Sequence, residues 1–232
     1  MKICFVLPRY SRSAIGGYKI VFEYANRLIK KGYQIYILFL NEDTFVEHRI
    51  PEIIKPFASN IMTMIEPRWF EIDRNIKKIS GINSRSKFLL RQMDVCVATG
   101  IQTVESCEKL FPTGKKIYFI QDYESWVTPE EEVNNSYNKE FVNVVISKWL
   151  KRIVDKYSQK KSILINNPID LNSYRKYIPI ENRKKHSIGL LYHSGEHKGL
   201  KYSFEALRIL KEKYPDLEIY MFGTSEPTET IP

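Results

Sequence analysis

Two short turns in the sequence carry residues suited by type and spacing to holding an anion. The first, between Pro8 and Tyr18, sets Arg9 and Arg12 ahead of the paired glycines Gly16 and Gly17. Lacking side chains, the pair lets backbone N–H groups approach whatever sits above them. A helix that begins there adds the positive end of its dipole. The second turn is His193-Ser194-Gly195-Glu196-His197-Lys198-Gly199, where a lysine adjoins a glycine at the mouth of another helical pattern. Backbone donors, a helix dipole and one point charge together suit a diphosphate. Neither turn fits the dinucleotide fingerprint GxGxxG, because Tyr18 and Lys19 follow the first glycine pair, and neither fits the P-loop. A third group, Gln121, Asp122 and Glu124, opens a polar, acidic stretch that runs to Asn138. It reads as a loop at a strand's C-terminal end, where open α/β sheets place their ligands. Each group has a plainer use as well: a tight strand-to-helix turn for the glycines, and a solvated loop with a capping aspartate for the acids. Ser147, at another strand end, serves equally as a helix N-cap or as a ligand contact.

The elements that must position these groups follow from the apolar pattern. Ile3 to Leu7 is a short continuous apolar run, as in a parallel strand covered on both faces, and Pro8 ends it. Ile20, Val21, Tyr24, Leu28 and Ile29 recur at helical spacing, with Lys30, Lys31 and Gly32 supplying C-terminal charge and cap. Tyr33 to Leu40 is a second strand, so the opening is a parallel βαβ unit. Between Asn41 and Pro67 three prolines break the pattern, and Asn60 to Ile65 is expected as a strand. Arg68 to Met93 mixes aromatic and aliphatic residues with cations. With Arg68 itself its cations number seven, and it reads as a helix with a solvated face, or as a basic, aromatic segment for a membrane surface or an acceptor. Strands are then expected at Met93 to Thr99, Lys116 to Gln121, Val142 to Ser147 and Ser162 to Asn166, with helices at Gln102 to Leu110 and Lys148 to Tyr157. Pro168 stops the last strand. Residues 169–186 are charged and poor in periodicity, as a linker is. The opening design recurs after it, with strands at Ser187 to His193 and Leu217 to Gly223 around a helix from Leu200 to Tyr214. Two strands and one helix do not bury both faces of a sheet, so this second domain, 187–232, is expected to be incomplete.

Composition narrows the class. The chain has 232 residues, 43% of them hydrophobic, enough for one good core and part of another domain. Its 36 basic and 27 acidic residues give a net charge of +9, which favours anionic partners or simply a soluble surface. Three cysteines at Cys4, Cys96 and Cys107 have neither a disulfide framework nor metal-ligand spacing and suit a reducing compartment. With no signal-peptide pattern and no long apolar run, a cytoplasmic protein is expected.

Several segments together resemble the retaining nucleotide-sugar glycosyltransferases of the GT-B fold, of the family 4 type. They are IGGYKIVFEYANRLIKKGYQIYIL near the N-terminus, VVISKWLKRIVDKY with ILINNPIDLNSY at the hinge, and LLYHSGEHKGLKYSFEALRIL opening the second domain. Asn167-Pro168-Ile169-Asp170 is similar to the family's hinge signature, and YFIQDYESW resembles a subgroup that builds rhamnose-type surface polysaccharides. The resemblance implies an α/β, GT-B-like architecture: a Rossmann-like acceptor-side domain over 1–168 with a parallel sheet, a linker over 169–186, and the start of a donor-side Rossmann-like domain over 187–232. It implies sugar transfer from a nucleotide-diphosphate sugar, a donor substrate rather than a cofactor, to a glycan or lipid-linked hydroxyl with retention and without a metal. Gly16 and Gly17 would lie beside the donor's phosphates and reacting sugar, Lys198 would contact the diphosphate, and Gly199 would let the backbone approach. His193 stands where family members often carry arginine. Gln121, Asp122 and Glu124 would form the catalytic group contacting sugar or acceptor. The family's late pair of glutamates is not matched by Glu226 and Glu229.

Three readings compete on these grounds. The first is a glycosyltransferase-like polypeptide, either a truncated product or one piece of a split enzyme completed by another chain, which is expected to be inactive alone. The second is a non-catalytic binding or scaffold subunit of a split glycosyltransferase, completed by a partner chain. The third, a nucleotide-binding oxidoreductase, is opposed by the missing GxGxxG and the lack of an acid at the end of the second strand. Expected partners are a nucleotide sugar, the acceptor and an anionic membrane at its inner face, and not nucleic acid.

Overall fold

The computed structural model describes residues 1–42, 51, 54–126, 128–193 and 195–224, with only the backbone of His197. Glu226, Glu229 and His48 lie outside the described residues. The chain divides into two compact units, Met1–Asn167 and Pro168–Pro232.

The first unit is built on a seven-stranded, all-parallel sheet. In chain order its elements are β1 (Lys2–Leu7), α1 (Gly16–Lys30), β2 (Gln34–Phe39), α2 (Lys55–Ile65), β3 (Lys77–Ser80), α3 (Ser84–Leu90), β4 (Val95–Ala98), α4 (Ile101–Leu110), β5 (Lys115–Ile120), α5 (Glu130–Ser136), β6 (Val142–Val145), α6 (Lys148–Tyr157) and β7 (Ile163–Leu164). The strands lie in the order β3-β2-β1-β4-β5-β6-β7. The chain therefore winds outward from β1 in one direction, then returns past it to β4 and winds in the other. That reversal opens a crevice beyond the carboxyl ends of β1 and β4.

Both faces of the sheet are buried, which is why β1 and β2 are continuous apolar runs rather than alternating ones. On one face Val21, Phe22 and Ala25 of α1 pack against Ile3, Phe5, Ile35 and Ile37. On the other, Leu90 of α3, Val104 and Cys107 of α4, Val133 of α5 and Leu150 and Val154 of α6 cover Cys4, Val6, Cys96 and Val145. Gly32 closes α1 at φ +87, its N–H bonded to the carbonyl of Ile29, as the cap pattern requires.

Three expectations are corrected. Asn60 to Ile65 is not a strand but the end of α2: Pro56 suits a first helical turn, and the buried Ser59 and Thr63, one helical turn apart, face inward. Arg68 to Met93 is not one helix; it forms turns, the short β3 and the seven-residue α3, which starts at a capping box made by Asn83 and Ser86. Trp69 and Phe70 serve the core, stacking on Phe22 with ring centroids 5.8 and 5.5 Å away, whereas Phe88 of α3 is exposed. The acidic stretch after Gln121 is not all loop, because Glu130–Ser136 form α5 with three acids in its first turn, where the helix dipole favours them.

In the second unit β8 (Ser187–Leu191) and β9 (Glu218–Phe222) pair in parallel, with α7 (Leu200–Lys213) between them. Phe204 and Leu207 of α7 close over Tyr192 and Leu217 in a small core.

Candidate functional site

The crevice at the switch point is lined by the ends of four elements. α1 begins at Gly16 directly after Ile15, an N-cap residue whose side chain accepts no hydrogen bond, and its first turn holds no acid. No N-cap side chain therefore occupies the first N–H groups of that turn. A Cβ built on Gly16 would meet no atom within 4 Å, so the space above it is open. Gly17 is closer to its neighbours. Its carbonyl accepts from Gln121 Nε2 at 3.1 Å, and a Cβ there would come within 3.3 Å of the same carboxamide. Gln121, which follows β5, therefore fixes the start of α1 across the crevice.

Glu124 reaches the start of α4. Its Oε2 accepts from the N–H of Ile101 at 2.6 Å, and Oε1 would sit 3.3 Å from a Cβ on Gly100. The carboxyl is largely buried, and desolvation pushes its pKa from 4.5 up to about 7, with Asp122 adding repulsion against the Ile101 hydrogen bond. Asp122 itself accepts from the N–H of Tyr123 at 2.9 Å, in the manner of a turn aspartate. Tyr18 sits near Glu124, and burial raises its phenol to about 12. Glycine start, carboxamide and carboxyl thus meet in one place, two hydrogen bonds tying them to the helix starts.

Some residues that shape the crevice were not singled out in the sequence. Thr99 follows β4 and donates its hydroxyl to the Val6 carbonyl at 2.6 Å, while Thr103 Oγ1 accepts from the Thr99 N–H at 3.0 Å and donates to the Gly100 carbonyl. Asn41, held at φ +57, takes the Tyr10 N–H on Oδ1 and gives Nδ2 to Thr63 and Ser80. A small polar pattern straight after a strand, Thr-Gly-x-x-Thr, was the available signal for the first group. Ser147 caps α6, accepting from the Leu150 N–H at 3.1 Å.

His193, Lys198 and Gly199 lie in the second unit. Lys198 ends a 3-10 turn, Glu196–Lys198, and is exposed. Gly199 follows at φ +69, a left-handed conformation that glycine alone adopts without cost, and caps α7. His193 Nδ1 accepts from the Gly195 N–H at 2.9 Å, so that nitrogen carries no hydrogen and Nε2 carries it instead.

No protein-family model matches the sequence, and no curated protein matches it. Solved structures do match. Anabaena HepE in complex with UDP-glucose is similar at a TM-score of 0.61 and 11% identity, over 97% of this chain and 70% of that one. The fold is GT-B-like. Lipopolysaccharide outer core galactosyltransferase WaaB follows at 0.55 and 10% identity, over 97% and 69%. An alpha-glucosyltransferase in complex with UDP-glucose and DNA containing an abasic site gives 0.54 and 14%, over 96% and 57%. At such identities a GT-B-like chain shares architecture with these proteins, and its chemistry has to be argued from its own residues.

Proposed function

We propose that this chain is a nucleotide-sugar glycosyltransferase, moving a sugar from a nucleoside diphosphate to a hydroxyl of a glycan or lipid-linked acceptor in surface-polysaccharide synthesis. One observation carries the reading. An uncapped, glycine-started helix, a carboxamide and a buried carboxyl converge at the switch point of a fold shared with proteins captured with UDP-glucose. The open N-terminal turn at Gly16 suits the charge of the donor, while Gln121, Asp122 and Glu124 offer acceptors and a donor to sugar hydroxyls. Lys198, beside the left-handed Gly199, supplies the point charge for the diphosphate. In a transfer with retention the acceptor oxygen bonds to the anomeric carbon on the face the diphosphate leaves. The carbon–oxygen bond to phosphate breaks with its electron pair passing to the diphosphate, and the hydroxyl proton passes to the departing phosphoryl oxygen. The protein's share is to position the partners and stabilise the leaving charge. We place this work at the cytoplasmic side of the cell.

Calorimetric titration of the purified chain with a panel of nucleotide sugars and nucleoside diphosphates tests the reading. One nucleotide sugar is expected to bind, Lys198→Ala to weaken it at least about tenfold, and Gly16→Ala to weaken it without loss of thermal stability. No heat at millimolar ligand would sink the proposal. A second reading, a non-catalytic binding subunit of a split glycosyltransferase, is favoured by Leu191, Tyr220 and Phe222, which are 50%, 53% and 62% exposed on the β8–β9 sheet. Under that reading nucleotide sugar alone gives no heat, while a partner chain is captured.

A further inference from the structure

A groove of about 460 Å³ runs between α3 and α4, outside the group of residues gathered around Gly16 and Glu124. The two helices cover the same face of the sheet, with Leu90 of α3 and Val104 and Cys107 of α4 in one core. Each follows the carboxyl end of a strand, α3 after β3 and α4 after β4, so the groove leads away from the crevice. Gln102 stands at its crevice end, Lys87 and Arg91 on the α3 wall, and Glu105, Ser106 and Lys109 on the α4 wall. The volume falls within the range of small-ligand sites, roughly 300–1,000 Å³. Its mouth meets the candidate site at Gly100. A Cβ on that glycine would stand 3.1 Å from Gln102 Oε1 and 3.3 Å from Glu124 Oε1, so the first side chain of the groove and the buried carboxyl flank the same bare backbone.

The side chains on the walls say what fills it. Lys109 is engaged on its own helix, 2.5 Å from Glu105, and Glu42 at the rim adds to the field that raises its pKa. Lys87 and Arg91 have no ion pair and no side-chain hydrogen bond among the described residues, and neither Gln102 nor Ser106 has a side-chain hydrogen bond there. An ammonium and a guanidinium one helical turn apart suit one carboxylate or phosphate. The carboxamide, the hydroxyl and the carboxylates of Glu42 and Glu105 suit hydroxyl groups. A densely charged chain fits poorly, because the two carboxylates repel successive phosphates and no aromatic side chain lines the groove to stack a base. A chain of hydroxyl-rich rings with an occasional negative charge meets the whole lining, and Ile82 and Leu110 offer apolar contact to the ring C–H faces.

We propose that the groove between α3 and α4 is a subsite for an acidic glycan, which lies along it with a carboxylate or phosphate on Lys87 and Arg91 and its reacting end at Glu124. Those two cations stand one to two turns beyond the start of α3, roughly 5–10 Å along the helix. The charge therefore belongs to a ring further along the chain than the one that reacts. That the glycan is the acceptor rests on the glycosyl-transfer reading; the kind of ligand rests on the groove alone.

The test is calorimetric titration of the full chain with trigalacturonate, a phosphorylated maltotriose, neutral maltotriose and the peptide tetraglutamate. At least one acidic glycan is expected to bind, the better of the two naming the anion, with the neutral glycan at least about tenfold weaker. In the double variant Lys87→Gln/Arg91→Gln the acidic glycan is expected to fall to the level of the neutral one. Both side chains are exposed, so circular dichroism and melting temperature should match the unaltered chain. Equal binding of acidic and neutral glycans overturns the proposal, and so does a peptide bound as tightly as the glycan. Loss of binding in Lys148→Gln/Arg152→Gln on α6, with full binding by the α3 variant, overturns it as well. Acidic glycan bound by a chain that gives no heat with any nucleotide sugar upholds the groove and removes the glycosyl-transfer reading. Nucleotide sugar bound by a chain indifferent to every glycan overturns the groove alone.

Discussion

Glu124 is the most informative single residue. Its carboxyl is held at the α4 N-terminus by one short hydrogen bond, yet burial raises its pKa from 4.5 to about 7. The folded protein therefore binds a proton at Glu124 more tightly than the unfolded chain does. Its contribution to stability is full below about pH 4.5 and is lost as pH rises through about 7. The whole gap corresponds to roughly 3 kcal/mol at most. Glu124→Gln mimics the protonated form, so it should raise the melting temperature at pH 8 relative to the unaltered chain and change it little at pH 5. An equal change at both values would show that the carboxyl is not strained. The three members of this group were legible in the sequence because they follow an apolar run, where ligands gather in open sheets. Their partners were not: Gln121 binds a carbonyl 104 positions away and Glu124 an N–H 23 positions away, and no local pattern encodes such distances. Asp122 turned out closest to its plainer use, as a turn aspartate.

Among the elements, strands buried on both faces were the most legible, since continuous apolar runs such as those of β1 and β2 have few other uses. α2 was the least legible. Its outward apolar residues and inward hydroxyls reverse the usual rule, so the pattern pointed to a strand between prolines. The inversion is fixed by Asn41, which bonds α2, β3 and the segment after β1 from a left-handed backbone. Asn41→Ala removes these hydrogen bonds and strains the backbone, and should cost about 2–3 kcal/mol in urea unfolding. Asn41→Gly relieves only the strain and should recover about 1 kcal/mol of that loss. β3 and α3 escaped notice because each is short: four and seven residues give too few repeats to fix a period.

For the molecule as a whole, the three thiols form one report on the sheet. Cys4 and Cys96 are register partners on adjacent strands, Cys107 lies over them on α4, and all are buried. Burial raises the Cys4 and Cys96 thiols well above their ordinary value, so neither is a nucleophile in the native state. A thiol-specific reagent should leave all three unmodified until denaturant opens the sheet, then label them at one common rate; early labelling of any one would reveal local opening at that strand or helix. The strand order has a further consequence for synthesis on the ribosome. β1 is made before β2 and β4, yet it sits between them, and its pairing with Val95 to Ala98 waits for most of a hundred further residues to emerge. Until then Ile3 to Leu7 has one bare edge and an uncovered apolar face, which makes it open to mispairing and a natural target for chaperones.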